Sequence, residues 1–162
     1  MSDLIAKAAS YAQKWHGGQV RKYTNAPYFT HPAAVAERAK VYTSEPYIIA
    51  AAWLHDILED TDRVFDDIVK EFGFDVAAVV SDLTDVYTSE AYPMWNRAER
   101  KKREVERLSG ICYQAKIVKL CDIADNAETI EKYDPGFAKI WLPEKHAAAR
   151  AMLTQMEWHN GR

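Results

Sequence analysis

One short segment of the chain, His55-Asp56-Ile57-Leu58-Glu59-Asp60, places a histidine and three carboxylates within six residues. It continues an apolar helical stretch, and residues four apart share a helix face, as His55 and Glu59 would and as the two aspartates would. Carboxylates so close together repel one another, and beside a buried apolar stripe they need a compensating cation. A divalent metal ion would supply that charge. The alternative is a solvated acidic helix end, which needs no metal.

Two residues elsewhere in the chain also have side chains that ligate metals. His31 stands between Thr30 and Pro32, at the start of a predicted second helix. Asp122 lies in an apolar helical stretch, where a charged group is costly unless it is paired. Taken singly, a histidine or an aspartate in such a place is more often structural than functional.

Length, composition and charge favour one globular domain over several other classes of protein. The chain has 162 residues, 48% hydrophobic and 28% charged, and its formal net charge of −3 does not favour binding to duplex nucleic acid. The longest apolar run covers residues 47–54, far short of the roughly 20 residues that span a bilayer. The N-terminus shows no secretory signal, and Cys112 and Cys121 lack a metal or redox spacing, so we expect reduced thiols in the cytoplasm.

Helical periodicity dominates the chain, and no run alternates as a half-buried strand would. The pattern predicts an all-α bundle of seven or eight helices, with a loop over 84–95 and a last helix that Pro143 kinks or splits. Ser2 is the predicted cap of the first helix, and Thr30 is the predicted cap of a second helix that begins at His31. A third helix is predicted from Pro46 through Leu58, and a fourth that Thr61 or Asp62 caps and Gly73 ends. A charged helix over Asn96–Leu108 and a long helix over Tyr113–Lys132 follow.

The order His31, His55-Asp56, Asp122 resembles that of the HD-domain metal-dependent phosphohydrolases. Within that superfamily the chain is similar to the hydrolase domain of the RelA/SpoT alarmone enzymes, above all to stand-alone small alarmone hydrolases such as the metazoan SpoT homologue. The likeness covers about residues 1–153, so residues 1–162 are expected to form a single HD-type hydrolase domain. The segments that carry it are His16–Lys22, Pro27–Pro32, Leu54–Thr61 and Lys119–Asn126.

The resemblance implies a site for one Mn²⁺ ion, because two imidazoles and two carboxylates suit a mid-series divalent ion. It also implies that a Glu-Asp pair, Glu59 and Asp60, orients the attacking water or takes its proton. The ligands that it implies are His31, His55, Asp56 and Asp122.

The same resemblance implies hydrolysis of the 3′-pyrophosphate of guanosine tetra- or pentaphosphate, with release of pyrophosphate and GDP or GTP. Basic residues near the N-terminus and on the charged helix would face phosphates, and an asparagine one turn after the last ligand would hold the sugar. A solvated surface is the alternative for each basic group. The candidate substrate-binding residues are Arg21, Lys22, Arg97, Arg100, Lys101 and Asn126.

Two departures from the family pattern leave the substrate open. Ile123 stands where many members have Lys or Arg, and the loop over 84–95 is unusually aromatic, with Tyr87, Tyr92 and Trp95. The alternatives are a phosphohydrolase for another nucleotide, such as a 2′- or 3′-phosphorylated cofactor or a dNTP, and a non-catalytic nucleotide-binding module. We expect a nucleotide as the partner, neither nucleic acid nor membrane, and we leave a homo-oligomer open.

Overall fold

The computed structural model describes the backbone of residues 3–160 and the side chains of residues 3–156. Within that range the chain is helical, and the only extended pairing is an isolated bridge between Val20 and Pro27. The all-α prediction is therefore confirmed. The described residues form nine helices where seven or eight are predicted, and the additional one has only four residues. The helices are α1 (Asp3–Trp15), α2 (Thr30–Ala39), α3 (Pro46–Leu54), α4 (Ile57–Asp60), α5 (Phe65–Phe72), α6 (Phe74–Leu83), α7 (Arg97–Ser109), α8 (Tyr113–Tyr133) and α9 (Pro135–Asn160).

Helix α3 is the centre of the bundle, and α1, α2, α6 and α8 all pack against it. Its alanines Ala50, Ala51 and Ala52 are fully buried, and such small side chains let neighbouring helices approach closely. The end of α3 delivers His55, and the start of α2 delivers His31. Since α8 packs against both helices, the three elements that carry the candidate ligands meet at one place.

The predicted third helix does not continue through Leu58. Helix α3 ends at Leu54, and Asp56 has φ −97° and ψ 1°, which takes it out of the regular α-helix before α4 begins. The interpretation of residues 55–60 as one continuous helix face is therefore wrong. The Asp60 amide still bonds the Asp56 carbonyl at 2.9 Å, so the two aspartates stay one turn apart.

The predicted helix caps are also corrected. Helix α2 begins at Thr30 itself, whose hydroxyl donates to the Pro27 carbonyl at 2.8 Å instead of capping the helix. Neither Thr61 nor Asp62 caps α5, because its N-cap is Val64, whose amide donates to Asp67 at 3.1 Å. Gly73 ends α5 as predicted, at φ 86°, where glycine is favoured. The cap predicted at Ser2 lies outside the described residues.

Pro143 does not split the last helix, and that part of the prediction is wrong. Helix α9 runs from Pro135 through Asn160, and it packs against both α7 and α8. These contacts hold the helix together across the missing backbone donor. In the described part of the chain, no helix is both long enough and apolar enough to cross a membrane.

The predicted loop over 84–95 is confirmed, and one buried carboxylate anchors it. Glu104 of α7 is 4% exposed, and it accepts hydrogen bonds from the amides of Val86 at 3.3 Å and Tyr87 at 3.2 Å. Arg107 donates to the same carboxylate at 2.5 Å, which pairs its charge. The loop start is therefore fixed to the bundle, which holds Asp85 in place.

Replacing Leu54 tests the central position of α3. The side chain is fully buried at the end of that helix, so Leu54→Ala should lower the free energy of unfolding by about 2–5 kcal/mol. Val41→Ala is the control, because Val41 is 78% exposed, and its effect should stay within about 0.5 kcal/mol. Urea unfolding followed by circular dichroism measures both, and equal effects would contradict the packing described.

Candidate active site

Two histidine rings face each other where α2, α3 and α8 meet. The Nε2 atoms of His31 and His55 are 3.2 Å apart, and both residues are at most 2% exposed. Asp122 Oδ1 lies 3.2 Å from His31 Nε2 and 3.7 Å from His55 Nε2. Asp56 Oδ2 lies 3.6 Å and 3.0 Å from the same two nitrogens. The structure thus brings together the four residues predicted to be ligands.

Hydrogen bonds to the outer ring nitrogens orient both imidazoles. His55 Nδ1 lies 2.8 Å from the Ala52 carbonyl, and His31 Nδ1 lies 2.7 Å from Asp125 Oδ2. Because both partners accept, each ring donates through Nδ1, which turns Nε2 toward the centre as the nitrogen that a metal ion would bind.

The donor set fits a divalent metal ion. Ligand atoms of His31, His55 and Asp122 all lie within 4.8 Å of one another. Burial would raise the pKa of Asp122, but Lys119 and the two imidazoles hold it well below its usual value, so the carboxylate stays ionised. Imidazole lone pairs and ionised carboxylates in a buried cluster suit a first-row divalent ion.

Lys119 is a member of the site that the sequence analysis did not identify. It is 5% exposed, and its Nζ lies 3.4 Å from Asp122 Oδ2 and 3.5 Å from Asp85 Oδ1. Burial would lower its pKa, but the carboxylates, Asp122 first, raise it above the usual value. Its place in an apolar run, three residues before Asp122, is the signal that could have found it.

Glu59 and Asp60 lie on α4, partly open to solvent, beside the four candidate ligands His31, His55, Asp56 and Asp122, which we call the metal-ligand cluster. The Glu59 carboxylate accepts from the Asp85 amide at 2.6 Å. Desolvation and the Asp85 carboxylate raise the pKa of Glu59 to about 7. Desolvation and Asp56 also raise the pKa of Asp60. The predicted catalytic pair therefore includes a carboxyl group able to gain or lose a proton near neutral pH.

Tyr28, which sequence reasoning quoted only as part of a motif, joins the ligands to the acid pair. Its hydroxyl donates to Asp56 Oδ2 at 2.7 Å. The same hydroxyl interacts with the Asp60 carboxylate, and this interaction works against the rise in the Asp60 pKa. One phenol thus contacts a candidate ligand and a candidate catalytic acid.

A cleft of about 150 Å³ opens beside His31. Arg21, Lys22 and Asn126, three of the predicted substrate-binding residues, line it together with Tyr28 and His31. The Asn126 amide donates to Asp122 Oδ1 at 2.7 Å, which ties this wall of the cleft to the metal-ligand cluster.

The three predicted cations of α7 do not stand together. Arg97 pairs with Glu144 of α9 at 2.7 Å, and Arg100 donates to the Trp95 carbonyl. Lys101 lies 3.9 Å from Asp85 Oδ2 and so adjoins the group that holds Glu59.

Lys145 of α9 is another member of the site that sequence reasoning missed. Burial and the charge of Lys119 lower its pKa, and Asp85 and Lys101 also interact with it. Lys101, Lys119 and Lys145 therefore surround Asp85, beside Glu59. We call this set the lysine cluster. The sequence offered no spacing signal for Lys145, because each of the three lysines lies on a different helix.

The residues that depart from the family pattern are not among those that line the cleft. Ile123 is 8% exposed and belongs to the hydrophobic core. Tyr92 stacks on Trp95 with ring centroids 4.6 Å apart, and Tyr87 contacts both rings. These side chains are therefore occupied in packing within the protein.

Comparison with known proteins decides the family. The HD domain family matches residues 8–141 of the chain. This chain belongs to the HD domain family. Within the family it is 33% identical over 135 residues to the guanosine-3′,5′-bis(diphosphate) 3′-pyrophosphohydrolase MESH1 of Xenopus tropicalis, covering 82% of this chain and 72% of that protein. The human MESH1 is also 33% identical, over 137 residues, covering 81% of this chain and 72% of the relative.

Longer relatives and solved structures agree with this assignment. A guanosine-3′,5′-bis(diphosphate) 3′-pyrophosphohydrolase of Aquifex aeolicus is 34% identical over 133 residues, covering 80% of this HD-domain chain but 18% of that protein. A solved metazoan ortholog of SpoT that hydrolyzes ppGpp superposes with a TM-score of 0.77 at 28% identity, covering 96% of this chain and 86% of that one.

The raised pKa of Glu59 has a consequence for the stability of the metal-free protein. The folded-state pKa of about 7 lies above the usual 4.5, so between these values the folded protein binds more protons than the unfolded one. The free energy of unfolding should therefore fall as pH rises through that window, and Glu59→Gln should remove this part of the fall.

Chemical denaturation at several pH values, with EDTA present, measures the effect. Glu90→Gln in the exposed loop is the control and should follow the wild-type profile. Parallel profiles for wild type and Glu59→Gln would contradict the proton affinity assigned to Glu59.

Proposed function

We propose that this chain is a Mn²⁺-dependent phosphohydrolase that removes the 3′-pyrophosphate of guanosine 3′,5′-polyphosphates and releases pyrophosphate with GDP or GTP. The observation that carries the proposal is the buried convergence of His31, His55 and Asp122 beside a cleft with basic walls. The names of the relatives at 33% identity supply the substrate class. The proposal takes residues 1–162 as one HD-type hydrolase domain.

The proposed ligands of one Mn²⁺ ion are His31, His55, Asp56 and Asp122. Their nitrogen and oxygen donors suit a mid-series divalent ion. When bound, such an ion polarises a phosphate oxygen and lowers the pKa of bound water. Tyr28 supports this set by its 2.7 Å hydrogen bond to Asp56 Oδ2, which limits rotation of that carboxylate.

Glu59 and Asp60 are proposed to orient the attacking water or to take its proton. A carboxyl group with a pKa of about 7 accepts a proton at neutral pH and returns it to the departing group at little cost. The hydrogen bond from the Asp85 amide holds the Glu59 carboxylate in one orientation, and the accessibility of the pair leaves room for water.

Two groups of cations are proposed to hold the substrate. Arg21 and Lys22 line the cleft with Asn126, and Lys101 belongs to the lysine cluster near Glu59. A guanosine 3′,5′-polyphosphate carries two separate phosphate groups, so two basic regions around one metal-ligand set match its charge distribution. Arg97 and Arg100 stay predictions, since Arg97 is paired with Glu144 and Arg100 with the Trp95 carbonyl.

The nucleotide is the partner that we propose, in the cytoplasm, without nucleic acid or membrane. The two cysteines are free thiols, and the formal charge of −3 disfavours duplex nucleic acid as a general partner.

Direct turnover tests the substrate. Purified protein with Mn²⁺ and ppGpp should give GDP and pyrophosphate in equal amounts, identified by chromatography and phosphorus NMR, and EDTA should stop the reaction. The control reaction contains 2′- or 3′-phosphorylated cofactors or dNTPs in place of ppGpp. Faster turnover of one of these would assign the site to another nucleotide, and nucleotide binding without any turnover would make the chain a binding module.

Variants separate the metal ligands from the acid pair. His55→Ala removes one donor, so Mn²⁺ binding and turnover should fall together. Glu59→Gln and Asp60→Asn keep the donors, so Mn²⁺ binding should stay near wild type while kcat falls by about 10²- to 10⁴-fold. Calorimetry with Mn²⁺ and initial rates measure the two properties, with Glu90→Gln as the control. Full Mn²⁺ affinity in His55→Ala would contradict the ligand assignment.

A further inference from the structure

Asp125 lies on α8, almost one turn after Asp122, and it is 7% exposed. Its Oδ2 accepts from His31 Nδ1 at 2.7 Å and from Arg21 NH1 at 2.7 Å. An acidic side chain held by a guanidinium therefore stands directly behind a candidate metal ligand.

Arg21 is itself held in place by α8. Besides the bond to Asp125, its NH2 lies 3.4 Å from Asn126 Oδ1 and 3.3 Å from Thr129 Oγ1. Its side chain is 14% exposed, so the guanidinium is largely removed from water. A cation so enclosed keeps the Asp125 carboxylate charged and fixes its orientation.

The two candidate histidine ligands are oriented in different ways. His55 donates to the backbone carbonyl of Ala52, an acceptor that no substitution of a side chain removes. His31 donates to a side chain, so its tautomer and ring orientation depend on Asp125. Loss of the carboxylate would free the ring to rotate and would make its Nε2 a weaker donor.

We propose that Asp125 is a positioning residue for the metal site and that Arg21 acts through it, so that Arg21 contributes to metal affinity in addition to lining the cleft. This role rests on the proposed function only in so far as that function needs the metal. It concerns how the metal-free protein orients its metal-binding atoms, and it is independent of which nucleotide is hydrolysed.

Calorimetry with Mn²⁺ and the metal-free full chain, without nucleotide, tests the role. Asp125→Ala should weaken Mn²⁺ binding by about 10- to 100-fold, the usual effect of removing such a partner. Asp125→Asn should fall between Asp125→Ala and wild type, because the amide oxygen still accepts from Nδ1 but carries no charge. Arg21→Gln should also weaken binding, by less than Asp125→Ala.

Glu131→Gln is the matched control. Glu131 lies on the same helix as Asp125, and it is exposed. Its Mn²⁺ affinity should equal that of the wild type. Thermal unfolding of the metal-free variants gives a separate readout, because a merely structural role would lower the melting temperature without changing the affinity of the folded protein for Mn²⁺.

The dependence of turnover on Mn²⁺ concentration gives a second readout. Asp125→Asn should need more Mn²⁺ for half-maximal activity and should regain most of kcat at saturation. Wild-type Mn²⁺ affinity in both Asp125 variants, or an equal loss in Glu131→Gln, would overturn the inference and leave the proposed function intact. Weakened Mn²⁺ binding in the Asp125 variants of a protein that does not hydrolyse ppGpp would support the inference and overturn the proposed function.

Discussion

The convergence of two imidazole Nε2 atoms and two carboxylates in one buried site is the constraint that the surrounding structure serves. His31 and His55 bring their Nε2 atoms to 3.2 Å, with Asp122 and Asp56 alongside. Such a cluster is unfavourable without positive charge, and each member needs an external partner to keep its direction. The Ala52 carbonyl, Asp125, Tyr28 and Asn126 are those partners.

Helix α8, which carries the candidate ligand Asp122, also supplies a positive charge next to the metal-ligand cluster. Helix α8 carries Lys119 one turn before Asp122 and Asp125 one turn after it, so a cation, a candidate ligand and the carboxylate bonded to His31 share one helix. Asp85 then connects Lys119 to Glu59, which lies on a different element. The metal-ligand cluster and the acid pair are thus coupled electrostatically although α3 and α4 are separate helices.

The sequence could predict the residues of the centre better than their surroundings. His31, His55, Asp56 and Asp122 are predicted as a set by the resemblance to the HD-domain pattern, since each of them taken singly is more often structural, and the long α8 follows from periodicity alone. The break at Asp56 could not be predicted, because local patterning favours a continuing helix. Lys145 meets Asp85 only through packing of distant segments, and Pro143 is tolerated because α9 is supported by its neighbours.

The Asp85 backbone contact with Glu59 joins the acid pair to a surface loop. The loop start is attached to α7 by Glu104, outside the helices that carry the candidate metal ligands. A change in the loop over 84–95 can therefore change the pKa of Glu59. Sequence changes in this loop during evolution would shift the pH optimum of turnover without changing the helices that carry the candidate ligands.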